Sequence, residues 1–198
     1  NQTDGSPEVA QLIKKAIIHR ETGEFATAIK FLTNHLADFS GSVDLLSLLA
    51  HCYILNDDLE NASIYLDKAN EVDSDNVSVS WNNVRLLLRN KNVPDALFVA
   101  RKTIERYPND IEGMAVLGAC LRVGKEFDES LIYLNKAISL NPYYAEALIN
   151  RGLIKLAKKD KSGALSDLET AHKLKPHIKQ IWDLVINLNV ELKQFDQA

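Results

Sequence analysis

Residues 111–144 read IEGMAVLGACLRVGKEFDESLIYLNKAISLNPYY. Met114, Leu117 and Leu121 recur at three- and four-residue spacing, and after a break Leu131, Leu134 and Ile138 do the same. That pattern predicts two amphipathic helices with facing apolar stripes. Gly124 is the breaker between them, and Pro142 stops the second, because proline has no N–H and clashes with the preceding turn. Gly118 and Ala137 sit where larger side chains would hold the helices apart, and let them approach to the short end of the ~8–10 Å packing range.

Sliding the chain against itself by 34 residues extends the pattern in both directions. Ala28, Ala62, Ala96, Ser130, Ala164 and Ala198 share one phase, and Ala16, Ala50, Val84, Gly118, Gly152 and Ile186 share another. Leu32, Leu66, Ala100, Leu134 and Leu168 form a third column, and Pro108, Pro142 and Pro176 close three successive units. No insertion or deletion interrupts the register from Val9 to Ala198. Turn residues fall between the helices at Gly23, Asn56-Asp57, Asn90, Gly124 and residues 158–160. Ser6-Pro7-Glu8 reads as a helix start: a capping hydroxyl, proline at the first position and an acid in the first turn.

The columns resemble the tetratricopeptide repeat (TPR) family, most closely in 111–144 with Met114, Leu117, Gly118, Leu121, Ser130, Leu134, Ala137 and Pro142. Unit 43–76 follows with Leu46, Leu49, Ala50, Tyr53, Ala62, Leu66 and Ala69. Unit 145–178 departs at Arg151 and Lys155, unit 77–110 at Val84 and Trp81, and unit 9–42 at Lys15 and His19. The resemblance implies an all-α fold, a right-handed superhelical solenoid of antiparallel helix pairs with about eleven helices. A polar lead and helix start occupy 1–8, and five full repeats, 9–42, 43–76, 77–110, 111–144 and 145–178, precede a truncated sixth at 179–198. The last unit holds a first helix with Trp182, Val185 and Ile186, whose partner would begin near Phe195. A closing helix needs a polar outer face, so the expectation is a chain that continues past Ala198, or self-association near Trp182.

Composition supports a globular protein, with 46% hydrophobic and 25% charged residues. A net charge of −4 gives no basic surplus for nucleic acid or an anionic membrane. No run approaches the ~20 apolar residues of a membrane helix, and no signal segment precedes Ser6. Cys52 and Cys120 stand two repeats apart, too far for a disulfide, so two reduced thiols and a cytoplasmic location are expected.

Nothing in the sequence assembles catalytic chemistry. The stretch from Gly118 to Gly124 and Lys125 fails as a phosphate loop on spacing and on Glu126 in place of Ser or Thr. His19, His35, His51, His172 and His177 lack companions at metal-ligand spacing. Sequons at Asn1, Asn61 and Asn76 are expected by chance in a chain rich in asparagine and serine. The reading is a non-enzyme without cofactor or metal.

In TPR proteins the first helices line a concave surface where ligands lie. Carried through the period, that face contains Ser47, His51, Ile54, Leu55, Trp81, Asn82, Arg85, Leu88, Arg89, Ala115, Val116, Ala119, Arg122, Val123, Ile149, Asn150, Leu153 and Leu156. Arg85, Arg89 and Arg122 beside Val116, Ile149, Leu153 and Leu156 suit a protein or peptide with acidic groups and aliphatic anchors. The Lys–Asn–Arg clamp of chaperone-binding members is not matched, and their glycosyltransferase relatives' asparagine ladder is met only by Asn82 and Asn150. The implied function is a protein-interaction scaffold or adaptor. Two alternatives are the recognition arm of a glycosyl- or sulfotransferase whose catalytic domain lies beyond Ala198, and a self-assembling scaffold.

Overall fold

The computed structural model describes residues 6–195, so the polar lead at 1–5 and Ala198 of the first small-residue column lie outside the described residues. Among the described residues there are eleven helices and no strand: α1 (Pro7–Glu21), α2 (Phe25–Leu36), α3 (Val43–Leu55), α4 (Leu59–Val72), α5 (Val77–Arg89), α6 (Val93–Arg106), α7 (Ile111–Val123), α8 (Phe127–Leu140), α9 (Ala145–Ala157), α10 (Lys161–Leu174) and α11 (Lys179–Phe195). Odd-numbered helices from α3 onward begin at 43, 77, 111, 145 and 179, and even-numbered ones at 25, 59, 93, 127 and 161, so the period of the sequence is the period of the fold. None of these helices is long and apolar enough to cross a membrane.

Local chemistry sets the helix ends. The Ser6 hydroxyl accepts from the Val9 N–H at 3.2 Å with Pro7 at the first helical position, as the sequence predicts. Ser42, Asp58, Asn76 and Asp160 cap α3, α4, α5 and α10 in the same manner. The turn from each odd helix to the next even one follows one plan. In α3 the Asp58 N–H donates to the Tyr53 carbonyl at 3.0 Å and the Asp57 N–H to that of Ile54 at 3.2 Å, which is the Schellman pairing. Glu24, Asn92, Glu126 and Asp160 repeat the longer bond. The residue before each has positive φ: Gly23, Asp57, Lys91, Lys125 and Lys159. Gly124, which the sequence suggests as the breaker, is right-handed at φ −72°, and the left-handed residue is its neighbour Lys125.

The chain forms two compact units, Asn1–Thr103 and Ile104–Ala198, divided within α6. In the first, α3 is buried on most sides and packs against α1, α2, α4 and α5. Val9, Ala16, Ala28, Leu32, Leu45 and Leu49 fill one side, and Leu46, Ala50, Ala62, Leu66 and Val79 the other. In the second, α7 packs on α8 and α9, and α10 on α9 and α11, with Ala164, Leu168, Ile181, Val185 and Leu188 as one core cluster. The small-residue columns lie at the helix contacts. Ala16, Ala28, Ala50, Ala62, Val84, Ala96, Ser130 and Ala164 have no accessible surface. A Cβ on Gly118 would sit 2.6 Å from Leu134 Cδ2, and one on Gly152 would sit 2.9 Å from Leu168 Cγ. Ile186, in the register of Gly118 and Gly152, is exposed.

Arg151 and Lys155, which break the apolar pattern of α9, turn to α10. Arg151 donates Nε to Asp167 Oδ2 at 2.8 Å and Nη2 to Oδ1 at 2.7 Å, and Lys155 Nζ lies 2.8 Å from Oδ2. Burial pushes the Asp167 carboxyl up, but the bonds from Arg151 and Lys155 outweigh it and hold the group below the usual carboxylate range.

The left-handed turns generate the first test. Lys159→Gly relieves the ~1–2 kcal/mol cost of a side chain in the left-handed region, less the added freedom of glycine in the unfolded chain, and is expected to stabilise by about 0.5–1 kcal/mol. Gly23→Ala should destabilise by about 1 kcal/mol in the same urea titration. Destabilisation by Lys159→Gly would contradict the turn geometry.

Candidate partner-binding face

In the first unit α1, α3 and α5 lie side by side, and hydrogen bonds link their polar side chains. Asn82, on α5, donates Nδ2 to both the carbonyl and the hydroxyl of Ser47 on α3, each at 3.0 Å. Its Oδ1 accepts from Arg85 Nη1 at 3.1 Å, so a buried amide sets the position of a half-buried guanidinium. On α1, Arg20 donates Nε and Nη2 to Glu21 Oε1 at 3.1 and 2.8 Å, and its Nη1 lies 3.3 Å from His51 Nδ1 on α3. Arginine only donates, so His51 Nδ1 is the acceptor and carries no proton. Arg89 is exposed and pairs with Asp57, the left-handed residue that ends α3.

In the second unit α7 and α9 are neighbours, joined by another asparagine–arginine contact. Arg122 donates Nε to Asn150 Oδ1 at 2.9 Å, and Asn150 Nδ2 donates to the Glu146 carbonyl at 2.7 Å within α9. Asn82 and Asn150 share one register of the period, but Asn82 orients an arginine of its own helix and Asn150 one of the preceding first helix. Burial lowers the pKa of the Arg122 guanidinium, with no acid set against that effect.

The residues expected on the face fall into three groups. Ile54, Trp81, Asn82 and Val116 are buried, together with Ser47 and Ala115, and Trp81 has no accessible surface at all. His51, Arg85, Leu88, Ala119, Arg122, Ile149, Asn150, Leu153 and Leu156 are half-buried, and Leu55, Arg89 and Val123 are exposed. Ile149 and Leu156 pack against the core cluster of α10 and α11, which leaves Ala119, Val123 and Leu153 as accessible apolar surface near Arg122. Arg20 was not among the expected residues. It stands in the register of Ile54, Leu88, Arg122 and Leu156, so extending the same count into the first repeat finds it.

The two thiols and His172 are packed against structural elements, and the buried Nδ1 of His172 has no hydrogen-bond partner among the described residues. Cys52 and Cys120 are buried and form no disulfide among the described residues, and burial, partly offset by Arg20, pushes the Cys52 thiol up to about 11. His172 stacks on Trp182 with ring centroids 4.5 Å apart. Among the described residues no group of three or more His, Cys, Asp or Glu is placed to hold a metal ion.

Comparisons with known proteins agree on the architecture. A family model described as the coatomer epsilon subunit matches residues 1–198. A tetratricopeptide repeat protein from Parabacteroides merdae superimposes with a TM-score of 0.75 at 20% identity, covering 89% of this chain and 69% of its own. A thermophilic TPR protein from Thermus thermophilus gives 0.77 at 12% identity, covering 91% and 98%. YrrB, described as a TPR protein with an unusual peptide-binding site, gives 0.52 at 21% identity, covering 87% and 89%. At these identities the structures establish the TPR solenoid fold. No curated protein gives a significant sequence match.

His51 gives the face a pH signature. Burial, then the charges of Arg85 and Arg20, hold its imidazole well below the ordinary 6.5, so the folded state binds a proton only at lower pH than the unfolded chain does. Stability is therefore fully present above about pH 6.5 and declines as pH falls from there toward the folded value, by at most about 1.4 kcal/mol per pH unit for one proton. His51→Gln is expected to flatten that decline between about pH 7 and 5, leaving the share of His177, which burial and Lys175 also lower. Urea unfolding at several pH values reads the slope, and an unchanged slope in the variant contradicts the environment assigned to His51.

Proposed function

The chain belongs to the coatomer epsilon subunit family, and on that premise we propose that it is a TPR scaffold holding a partner protein along the face of its first helices. The family description is that of a subunit, so the partner is another chain of the same assembly. The scaffold consists of five full repeats from 9 to 178 and a further first helix at 179 and beyond, and its role is to hold rather than to transform. YrrB, with its peptide-binding site, supports a peptide-like ligand on such a fold.

One observation carries this reading: Asn82 and Asn150, at one register, each orient an arginine that is only half-buried. A merely solvated helix face has no need of amides, one of them buried, that use hydrogen bonds to position guanidinium groups. In the first unit Arg85 and Arg89 with Leu88, and in the second Arg122 with Ala119, Val123 and Leu153, each supply charge and aliphatic surface for an acidic segment with apolar anchors. Arg85→Glu with Arg89→Glu is expected to weaken a verified partner by about tenfold or more, because like charge replaces attraction. The helical circular dichroism signal should stay unchanged, since the exposed Arg89–Asp57 pair contributes little to folding, and loss of the Arg85–Asn82 bond should show only as a lower urea midpoint. Unaltered affinity for that partner would sink the assignment.

A second reading rests on α11, where Trp182, Ile186 and Val190 recur every four residues and are 45%, 42% and 51% exposed. We propose self-association through that stripe. Sedimentation equilibrium should show a dimer that dissociates in Trp182→Glu, and a monomeric parent at high micromolar concentration would refute it.

A further inference from the structure

We infer that Arg122 is the receptor for one carboxylate side chain of the partner segment, with Asn150 as its positioning residue; this rests on the scaffold reading above. Asn150 engages Nε at 2.9 Å, and both Nη groups have no hydrogen-bond partner among the described residues. Burial disfavours the charged form, and no acid among the described residues is set against it. Arg20 provides the internal comparison. It occupies the same register on α1, and the chain supplies Glu21 to bind it through two nitrogens. The nearby acid of α9, Glu146, has its carboxylate 3.9 Å from Lys175 instead. What Arg122 lacks is an acceptor of the planar, two-oxygen kind that a guanidinium fork matches best.

The charge count favours a carboxylate over a phosphate. The other cations of α9 and its C-cap each have an acid of the chain as partner, Arg151 and Lys155 sharing Asp167 and Lys158 pairing with Asp128. Arg122 itself offers one positive charge with no ion pair among the described residues, which suits one carboxylate, whereas a phosphate brings about −1.5 to −2. Ala119 lies three residues before Arg122 and Val123 one after it on α7, and Leu153 three after Asn150 on α9, all with accessible apolar surface, so the acid should be flanked by aliphatic residues.

The test pans a library of random linear twelve-residue peptides against the full chain and measures a selected peptide by calorimetry. The expected peptides carry an Asp or Glu beside Leu, Ile or Val. Affinity should fall about 10- to 100-fold on Arg122→Gln or on replacing the peptide's acid by its amide, with no further loss when both are changed. Arg122→Lys should recover part of the loss. Asn150→Asp gives Arg122 an internal carboxylate, so binding should fall while the urea midpoint holds or rises, a split that a merely structural Asn150 does not produce. Peptides that bind equally to parent and Arg122→Gln would overturn this inference and leave the scaffold reading standing. Tighter binding when phosphoserine replaces the acid would overturn the carboxylate assignment. Selection of no peptide at all would overturn the scaffold reading, and this inference with it.

Discussion

At the contact between α7 and α8 the Ser130 hydroxyl donates to the Gly118 carbonyl at 2.6 Å, and Leu134 lies where a Gly118 Cβ would be. The helix backbones come this close only because one side contributes no side chain and the other a very short one. Ala50 with Ala62 and Gly152 with Ala164 occupy the same positions in other pairs, all without accessible surface or in contact with the facing leucine. Much else follows from that approach. Within each unit first helices become neighbours of first helices, and their side chains come into register as a face. The polar links from Asn82 to Ser47 and from Arg122 to Asn150 span adjacent first helices and depend on that spacing.

The close approach is also why so much of the fold is legible in the sequence. A contact that favours Gly, Ala or Ser, with buried Val84 as a departure, leaves a column at a constant interval, and helix starts 34 residues apart reproduce it. The turns are less legible. A left-handed residue is ordinarily a signal for glycine, but only Gly23 conforms, and Asp57, Lys91, Lys125 and Lys159 take the same conformation. The paired bonds back to the preceding helix and the packing of the next one outweigh the cost of the side chain, so Gly124 misleads by standing one place early. Arg151 and Lys155 are a second kind of illegibility. As departures from an apolar column they are plain to see, but Asp167, which makes them tolerable, lies on the next helix with nothing in a one-dimensional pattern linking them.

The candidate face was legible as a set of positions and less so as a surface. Counting along the period places residues on the correct helices, but a first helix packed on several sides buries part of what the count assigns to the open side. Trp81, Ile54 and Val116 are spent on the interior, and Ile149 and Leu156 partly so. The half-buried polar residues therefore carry more of the face than the apolar ones. Asn82 and Asn150 stand at one register yet use their hydrogen bonds differently, because Ser47 offers Asn82 two acceptors while Asn150 turns to the backbone of its own helix.

Charge supplies the last step. The chain carries 27 acids against 23 lysines and arginines, so carboxylates are not scarce. It supplies them to Arg20 through Glu21, to Arg89 through Asp57, and to Arg151 through the buried Asp167. Arg122 is partly withdrawn from water like Arg20 and Arg151, yet is given a neutral amide. An amide accepts one hydrogen bond and directs the group, but it leaves the charge uncompensated where desolvation already disfavours it. The free chain gains no stability from that arrangement, and an acid in place of Asn150 would serve folding better. On the proposed reading the advantage lies outside the chain: a guanidinium already oriented and partly dehydrated loses less on meeting a carboxylate than a solvated one does.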